Sequence, residues 1–214
     1  MIWILCLLTA VIAYVFGNVN TLTLASRFVF KKNLRKLGKG NLFLSNFRRI
    51  YGWKGAVKLL LVEAVTDIIP ILIGGFLLGL KELAPAGKML GAFCLIVGKL
   101  YPLLNGMKGT VPAVALVIAG FFTDVSAGIA VLIAFGVIAF LTKHIAWGDV
   151  AAAVMLFVVT LLVGDDDLAL KVTAFISGIV VFHHIPAISR MLGGREEKIS
   201  LKADLSYKFD EKFQ

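Results

Sequence analysis

The sequence predicts an all-α integral membrane protein, a single domain over residues 1–214 with about seven transmembrane helices. Of the 214 residues, 59% are hydrophobic and only 16% are charged, and the mean hydropathy is +0.93. A soluble domain carries about 25% charged residues and about half apolar residues. The apolar residues also stand in continuous blocks and do not alternate with polar ones, which excludes an outer-membrane barrel.

The apolar blocks mark the helices in order. A spanning helix needs about 20 mainly apolar residues. The first block has no basic residue before it and no small-residue cleavage site after it, so we expect an uncleaved first helix. The fourth block is too short to cross a hydrocarbon layer of about 30 Å, and a polar Thr123-Asp124 break separates it from the fifth. The predicted spans are 2–16, 56–80, 89–104, 112–122, 125–141, 150–163 and 168–185.

The distribution of positive charge predicts the orientation. With the N-terminus outside and the C-terminus in the cytoplasm, the inside segments 18–58, 99–110, 143–149 and 186–214 hold nineteen Lys and Arg residues. The outside segments then hold three. Such a bias is typical of cytoplasmic loops. It predicts a basic cytoplasmic loop at 31–55, a cytoplasmic tail at 186–214, and an inner-membrane protein whose active site faces the cytoplasm.

The basic loop is the main source of the net charge of +9. Ten Lys and Arg residues lie between Arg27 and Lys58, and no acidic residue interrupts them. A nucleic-acid-binding patch is one interpretation. A loop that touches the anionic headgroups of membrane lipid is the better one, so we expect no nucleic-acid partner.

Two segments on the predicted cytoplasmic face are suited to binding phosphate. Glycines at 38 and 40 let backbone N–H groups approach an anion closely, and the basic residues around them supply charge. The Lys108-Gly109 pair precedes the short fourth helix, whose free N–H groups and positive dipole end favour an anion. A flexible basic loop and an ordinary helix start are the alternatives, and the P-loop spacing is absent.

Two further features place ionisable groups near the same face. Glu63 and Asp67 are spaced i,i+4, so they share one face of the second helix, two to three turns below its cytoplasmic end. Acids at that depth are costly unless they are paired, and they are either functional or part of a structural ion pair. His184 ends the last span and could act as an acid, a base or a phosphate ligand. No metal-ligand spacing or Gly-x-Ser-x-Gly turn is present, so no metal or cofactor is expected.

Taken in order, these features resemble a family of integral membrane acyltransferases that transfer an acyl chain from acyl phosphate to glycerol 3-phosphate. Three cytoplasmic motifs and one motif of the second span carry the resemblance. The matching residues are Gly38, Gly40, Asn41, Ser45 (in the place of Thr), Asn46 and Arg49; Glu63 and Pro70; Gly98, Tyr101 (in the place of Phe), Pro102, Lys108 and Gly109; and His184, Ile188, Arg190, Leu192, Gly194, Glu196, Lys198 and Ile199.

The sequence also departs from the family pattern at several site positions. Lys39 stands where the family has Ser, and on the second span Thr66 and Asp67 replace its Lys and Gly. Val111-Pro112 replaces a Lys-Gly pair, and 185–187 replaces Arg-Glu-Asn. Since a Lys leaves the second span and one enters the loop, we expect Lys39 to pair with Glu63 or Asp67.

The resemblance implies an acyltransferase of phospholipid synthesis with acyl phosphate and glycerol 3-phosphate, or a related acceptor, as substrates and lysophosphatidic acid as product. It implies that His184 and Asn41 are catalytic. Phosphate binding falls to Gly38, Lys39, Gly40, Ser45, Asn46, Arg49, Lys108 and Gly109, with Glu63, Asp67, Glu196 and Lys198 in support. Other lipid-synthesis enzymes are possible partners.

Two alternatives stay open. The replaced residues favour a non-catalytic or repurposed member that binds phospholipid or regulates a lipid enzyme. The short fourth span and the intramembrane acids would also suit a small transporter, although the two halves of the chain show no repeat.

Overall fold

The described chain is entirely helical between its turns. The computed structural model describes residues 2–19, 21, 24, 44–103, 112–163 and 167–193, with backbone alone at 44–51 and 53. The predicted all-α fold class with a short fourth helix is confirmed. Within those ranges seven helices follow one another: α1 Ile2–Asn18, α2 Leu44–Gly79, α3 Ala84–Leu100, α4 Ala113–Thr123, α5 Val125–Thr142, α6 Ile145–Val163 and α7 Asp167–Leu192.

The helix lengths separate clear membrane spans from shorter apolar helices. In the described ranges α5, α6 and α7 are long and apolar enough to cross a membrane by length and composition, whereas α1 and α4 are shorter apolar helices. The 11 residues of α4 extend only about 16 Å at about 1.5 Å per residue. The large apolar side chains on the outer surface, including Phe76, Phe140 and Phe175, suit a lipid environment.

Several helix ends differ from the sequence prediction, among them those of α2, α3 and α7. Helix α2 begins at Leu44, so the helix overlaps the segment predicted as the cytoplasmic loop, and Gly52 breaks its regular geometry with a φ of 68°. Helix α3 ends at Leu100 and not at 104. Helix α7 continues through the exposed Pro186 to Leu192, past the predicted end at 185, although proline usually ends a helix.

Glycines allow α1, α2 and α3 to pack with their backbones in contact. A Cβ added at Gly98 of α3 would lie 2.4 Å from the Tyr14 carbonyl oxygen of α1, and one added at Gly87 would lie 2.1 Å from the Gly74 carbonyl oxygen of α2. No side chain fits at such distances. Since apolar side chains gain little by leaving lipid for a helix interface, close backbone packing of this kind is a main source of helix association in membranes.

Polar contacts join the C-terminal ends of α1 and α3. The Asn18 amide donates to the Tyr14 carbonyl oxygen (2.7 Å) and accepts from the Leu103 backbone N–H (2.7 Å), while the Tyr14 hydroxyl donates to the Tyr101 carbonyl oxygen (2.8 Å). These bonds satisfy backbone groups that the helix ends leave open. They fix the segment after α3 at the end of the bundle where the ionisable residues also lie.

A tight turn joins α4 and α5. Asp124 is the N-cap of α5, and its carboxylate accepts from the backbone N–H and the hydroxyl of Ser126. Because these donors stabilise the charged form, the pKa of Asp124 is lowered from its ordinary value.

A candidate active site among buried charges

Five ionisable side chains are buried among four helices at one end of the bundle. Each has at most 8% of its surface exposed. A charge at membrane depth is expensive unless it is paired, so such residues mark functional sites or structural ion pairs. The five are Glu63 and Asp67 of α2, Lys99 of α3, Asp149 of α6 and His184 of α7.

Lys99 pairs with both acids of α2. Its ammonium nitrogen lies 2.9 Å from Oε1 of Glu63 and 2.7 Å from Oδ2 of Asp67. The i,i+4 spacing places both carboxylates on the face of α2 that packs on α3, where one ammonium group donates to both. With all three groups ionised, this cluster has a net charge of −1.

His184 lies between two acceptors. Its Nδ1 is 2.8 Å from the Val180 carbonyl oxygen, and its Nε2 is 3.2 Å from Oδ2 of Asp149. A carbonyl oxygen can only accept, so Nδ1 holds a hydrogen. The contact between Nε2 and the carboxyl then holds one further proton. Whichever of the two residues holds that proton, the His184–Asp149 pair has no net charge.

The Asp149 carboxyl group connects the two clusters, and its two oxygens differ in their contacts. Its carboxyl group is within electrostatic reach of Glu63 and Lys99. While Oδ2 contacts His184, the buried Oδ1 has no hydrogen-bond partner among the described residues. Desolvating such an atom costs about 1–3 kcal/mol. A buried oxygen of this kind is able to accept a hydrogen bond from a bound molecule.

His183, the neighbour of His184 in the chain, makes two aromatic contacts. The ring of His183 meets the Tyr101 ring edge to face at a centroid distance of 5.1 Å and the His184 ring at 5.3 Å. Because Tyr101 belongs to the segment tied to α1, these contacts connect α7 to the ends of α1 and α3. Across the described ranges, no three His, Cys, Asp or Glu side chains are grouped as a metal ion would require.

The structure brings together three of the predicted site residues: Glu63, Asp67 and His184. Ser45, Asn46 and Arg49 lie on the part of α2 that precedes Gly52, where the backbone alone is described. The remaining predicted site residues lie outside the described residues: Gly38, Lys39, Gly40, Asn41, Lys108, Gly109, Glu196 and Lys198. The expected convergence of the loop, the Lys108 turn and His184 on one pocket therefore stays a prediction.

Sequence reasoning missed Lys99 and Asp149. Lys99 was counted with the charges of a cytoplasmic segment, but it is a buried residue of α3. It pairs with both Glu63 and Asp67, one of which was expected to pair with Lys39. A single basic residue within a predicted apolar span indicates a buried ion pair or a functional site, so the sequence could have revealed Lys99. Asp149 was assigned to the segment before the sixth span because that span was predicted to begin at 150. The helix in fact begins at Ile145 and includes Asp149.

Comparisons with known proteins agree with the architecture. A sequence model of the family described as glycerol-3-phosphate acyltransferase matches residues 7–194. A relative of that name from Thermoanaerobacter pseudethanolicus is 26% identical over 201 residues, 92% of this chain and 98% of its own length. Another from Syntrophotalea carbinolica is 30% identical over 192 residues, 87% of this chain and 93% of its own.

Two solved structures have the same fold. Both are crystal structures of PlsY (YgiH), an integral membrane glycerol 3-phosphate acyltransferase, and each is 19% identical to this chain. The glycerol 3-phosphate form aligns with a TM-score of 0.72 over 98% of this chain and 99% of the other. The lysophosphatidic acid form aligns with a TM-score of 0.73 over 90% and 94%.

Proposed function

Because this chain belongs to the glycerol-3-phosphate acyltransferase family, we propose that it transfers an acyl chain from acyl phosphate to a hydroxyl of glycerol 3-phosphate. The products are lysophosphatidic acid and inorganic phosphate. The observation that supports this most is the family match over residues 7–194. Relatives that align over almost their whole length have the same name.

The proposed reaction requires few catalytic groups from the protein because its acyl donor is already activated. Acyl phosphate is a mixed anhydride with a good leaving group, so the site has to bind two anions, align the acceptor hydroxyl and stabilise the charge that develops at the carbonyl. No Ser-His-Asp triad is needed. By family resemblance, backbone and amide donors of Gly38, Gly40, Asn41 and Gly109 bind phosphate, and Lys108 and Arg49 balance its charge.

In this proposal the buried cluster supports that site. Glu63, Asp67, Lys99, Asp149 and His184 come from four helices. The ion pairs of Lys99 join α2 to α3, and the contact between Asp149 and His184 joins α6 to α7. In this account Lys99 is a structural cation, since its ammonium group is buried and already donates to two carboxylates. Of the five residues, His184 is the one that binds or orients the acceptor by family resemblance.

We further propose that the site faces the cytoplasm of a cell whose inner membrane holds the protein. The positive-inside bias supports this orientation, with nineteen basic residues on one side and three on the other. Acyl phosphate, glycerol 3-phosphate and membrane lipid are then the partners, and association with other lipid-synthesis enzymes would shorten the path of the acyl donor.

A second candidate function rests on one specific observation. Both ring nitrogens of His184 contact protein acceptors, so in this conformation the imidazole offers no donor to a substrate phosphate. A repurposed family member that binds phospholipid without acyl transfer would have such a site. The test below separates this candidate from the enzyme.

The test is acyl transfer by the purified full chain in lipid, with acyl phosphate and glycerol 3-phosphate supplied and lysophosphatidic acid measured. We expect product to form, and we expect His184→Ala and Asn41→Ala each to lower turnover at least about tenfold, or about 1.4 kcal/mol of transition-state stabilisation. Binding of either substrate without any product would favour the repurposed member. Full activity of both variants would place the site elsewhere.

A further inference from the structure

The free oxygen of Asp149 has the properties of a proton acceptor. The side chain is buried, with 1% of the residue exposed. One oxygen, Oδ2, is held by His184 at 3.2 Å, and the other, Oδ1, has no partner among the residues that the structure describes. Burial without a partner is costly, so the site is incomplete until a donor arrives.

A neutral hydroxyl group is the donor that fits this oxygen best. The acceptor substrate of the proposed reaction brings such a group, and its hydrogen must leave when the new ester bond forms. A carboxylate whose second oxygen is held by a histidine is fixed in orientation, as a general base requires.

We propose that Asp149 is a catalytic residue that binds the acceptor hydroxyl through Oδ1 and removes its proton, with His184 as the positioning residue. This inference rests on the proposed acyl transfer. It also changes the role of His184, because the imidazole then acts through the carboxylate and does not contact the substrate.

The step balances in atoms and electrons. The acceptor O–H bond breaks as its hydrogen passes to Oδ1 of Asp149, and the hydroxyl oxygen bonds to the carbonyl carbon of acyl phosphate. The tetrahedral intermediate then collapses, the bond from carbon to the phosphate oxygen breaks, and phosphate leaves with that electron pair. The proton on Asp149 passes to the departing phosphate, so the carboxylate is restored for the next turnover.

Other titratable groups around Asp149 have different engagements. His184 of α7 contacts the carboxyl, and His183 packs against the rings of Tyr101 and His184. Lys99 of α3 is held by the two acids of α2. Among the described residues, Lys99 and His184 are thus engaged by other side chains, whereas Oδ1 of Asp149 has no hydrogen-bond partner.

The test compares Asp149→Asn with the wild-type chain in the acyl-transfer assay. Asparagine has the same shape but no basicity, so we expect kcat to fall at least about a hundredfold, as loss of a general base does. The KM for glycerol 3-phosphate should change less than about threefold, since the phosphate contacts lie elsewhere. We expect the wild-type rate to fall at acid pH and this fall to disappear from the variant.

A matched control is an aspartate that is exposed and lies outside the buried cluster. Asp124 is exposed at the start of α5, and asparagine caps a helix as well as aspartate, so Asp124→Asn should retain wild-type activity. If Asp149→Asn keeps wild-type kcat and the wild-type pH profile, the proposal is wrong and Oδ1 is satisfied by water or by another part of the chain. A wild-type chain that forms no product refutes the proposed function itself.

A second variant decides the matter if Asp149→Asn does not fold. His184→Gln retains an N–H donor for the carboxylate but removes the cationic form. If Asp149 is the base, the acid limb of the pH–rate profile persists in this variant and moves to higher pH, because the carboxylate has lost a positive neighbour. If the acid limb vanishes, the histidine itself is the base and the proposal is overturned.

Discussion

At the residue scale, the buried ion pairs show both what a sequence reveals and what it hides. The depth of Glu63 and Asp67 in an apolar block, and their shared face, follow from their positions alone. Their partner does not, because Lys99 is 36 and 32 residues away and meets them only through the packing of α2 on α3. Charge complementarity indicated that some lysine was required, but it did not indicate which one.

Removing Lys99 is expected to destabilise the fold. Lys99→Met has similar volume but leaves two carboxylates buried without a cation, so we expect the free energy of unfolding to fall by about 3–5 kcal/mol. Equilibrium unfolding in mixed micelles measures the change. The control is Lys171→Met, which removes an exposed ion pair with Asp167 and should cost less than about 0.5 kcal/mol.

The same measurement on a triple variant checks the cause. Combining Lys99→Met with Glu63→Gln and Asp67→Asn removes all three charges, so stability should recover in part. If Lys99→Met alone unfolds like the wild type, the three groups do not form an ion pair in the protein.

At the element scale, helix type and order could be predicted, whereas helix ends could not. Continuous apolar blocks predicted each of the seven helices in the described ranges, including the short α4. The boundaries differed where a helix runs beyond its apolar block: α2 begins at Leu44, α6 at Ile145, and α7 passes Pro186. Asp149 was assigned to a loop for this reason. The close approach of α2 and α3 was also hidden, because a glycine in a sequence does not indicate which helix it faces.

A substitution at the contact between α2 and α3 tests that packing. The Cβ of Gly87→Ala would lie 2.1 Å from the Gly74 carbonyl oxygen, so the helices must separate, and we expect a loss of about 1–3 kcal/mol in unfolding free energy. At Gly178 of α7 nothing lies within 4 Å of an added Cβ. Gly178→Ala should therefore be neutral or up to about 1 kcal/mol stabilising. Equal effects at the two sites would contradict the close packing.

At the scale of the whole molecule, the buried charges of the described residues lie together at one end of the bundle. The buried charges come from α2, α3, α6 and α7, and polar contacts tie the end of α1 to the segment after α3. The family and the helical fold could be predicted from motif order and hydropathy. The Asp149–His184 pair could not, since it depends on how α6 and α7 meet. The assignment of this end of the bundle to the cytoplasmic side of the membrane depends on the distribution of Lys and Arg alone.

The measurement that tests the central claim most directly is acyl transfer in sealed membrane vesicles of known orientation. Acyl phosphate and glycerol 3-phosphate, neither of which crosses the bilayer freely, are supplied outside inverted vesicles and outside right-side-out vesicles that contain the wild-type chain. If the buried cluster belongs to a cytoplasmic acyltransferase site, lysophosphatidic acid forms in the inverted vesicles and reaches the same level in right-side-out vesicles only after they are permeabilised. Product formation by intact right-side-out vesicles alone, or no product from either kind after permeabilisation, would contradict it.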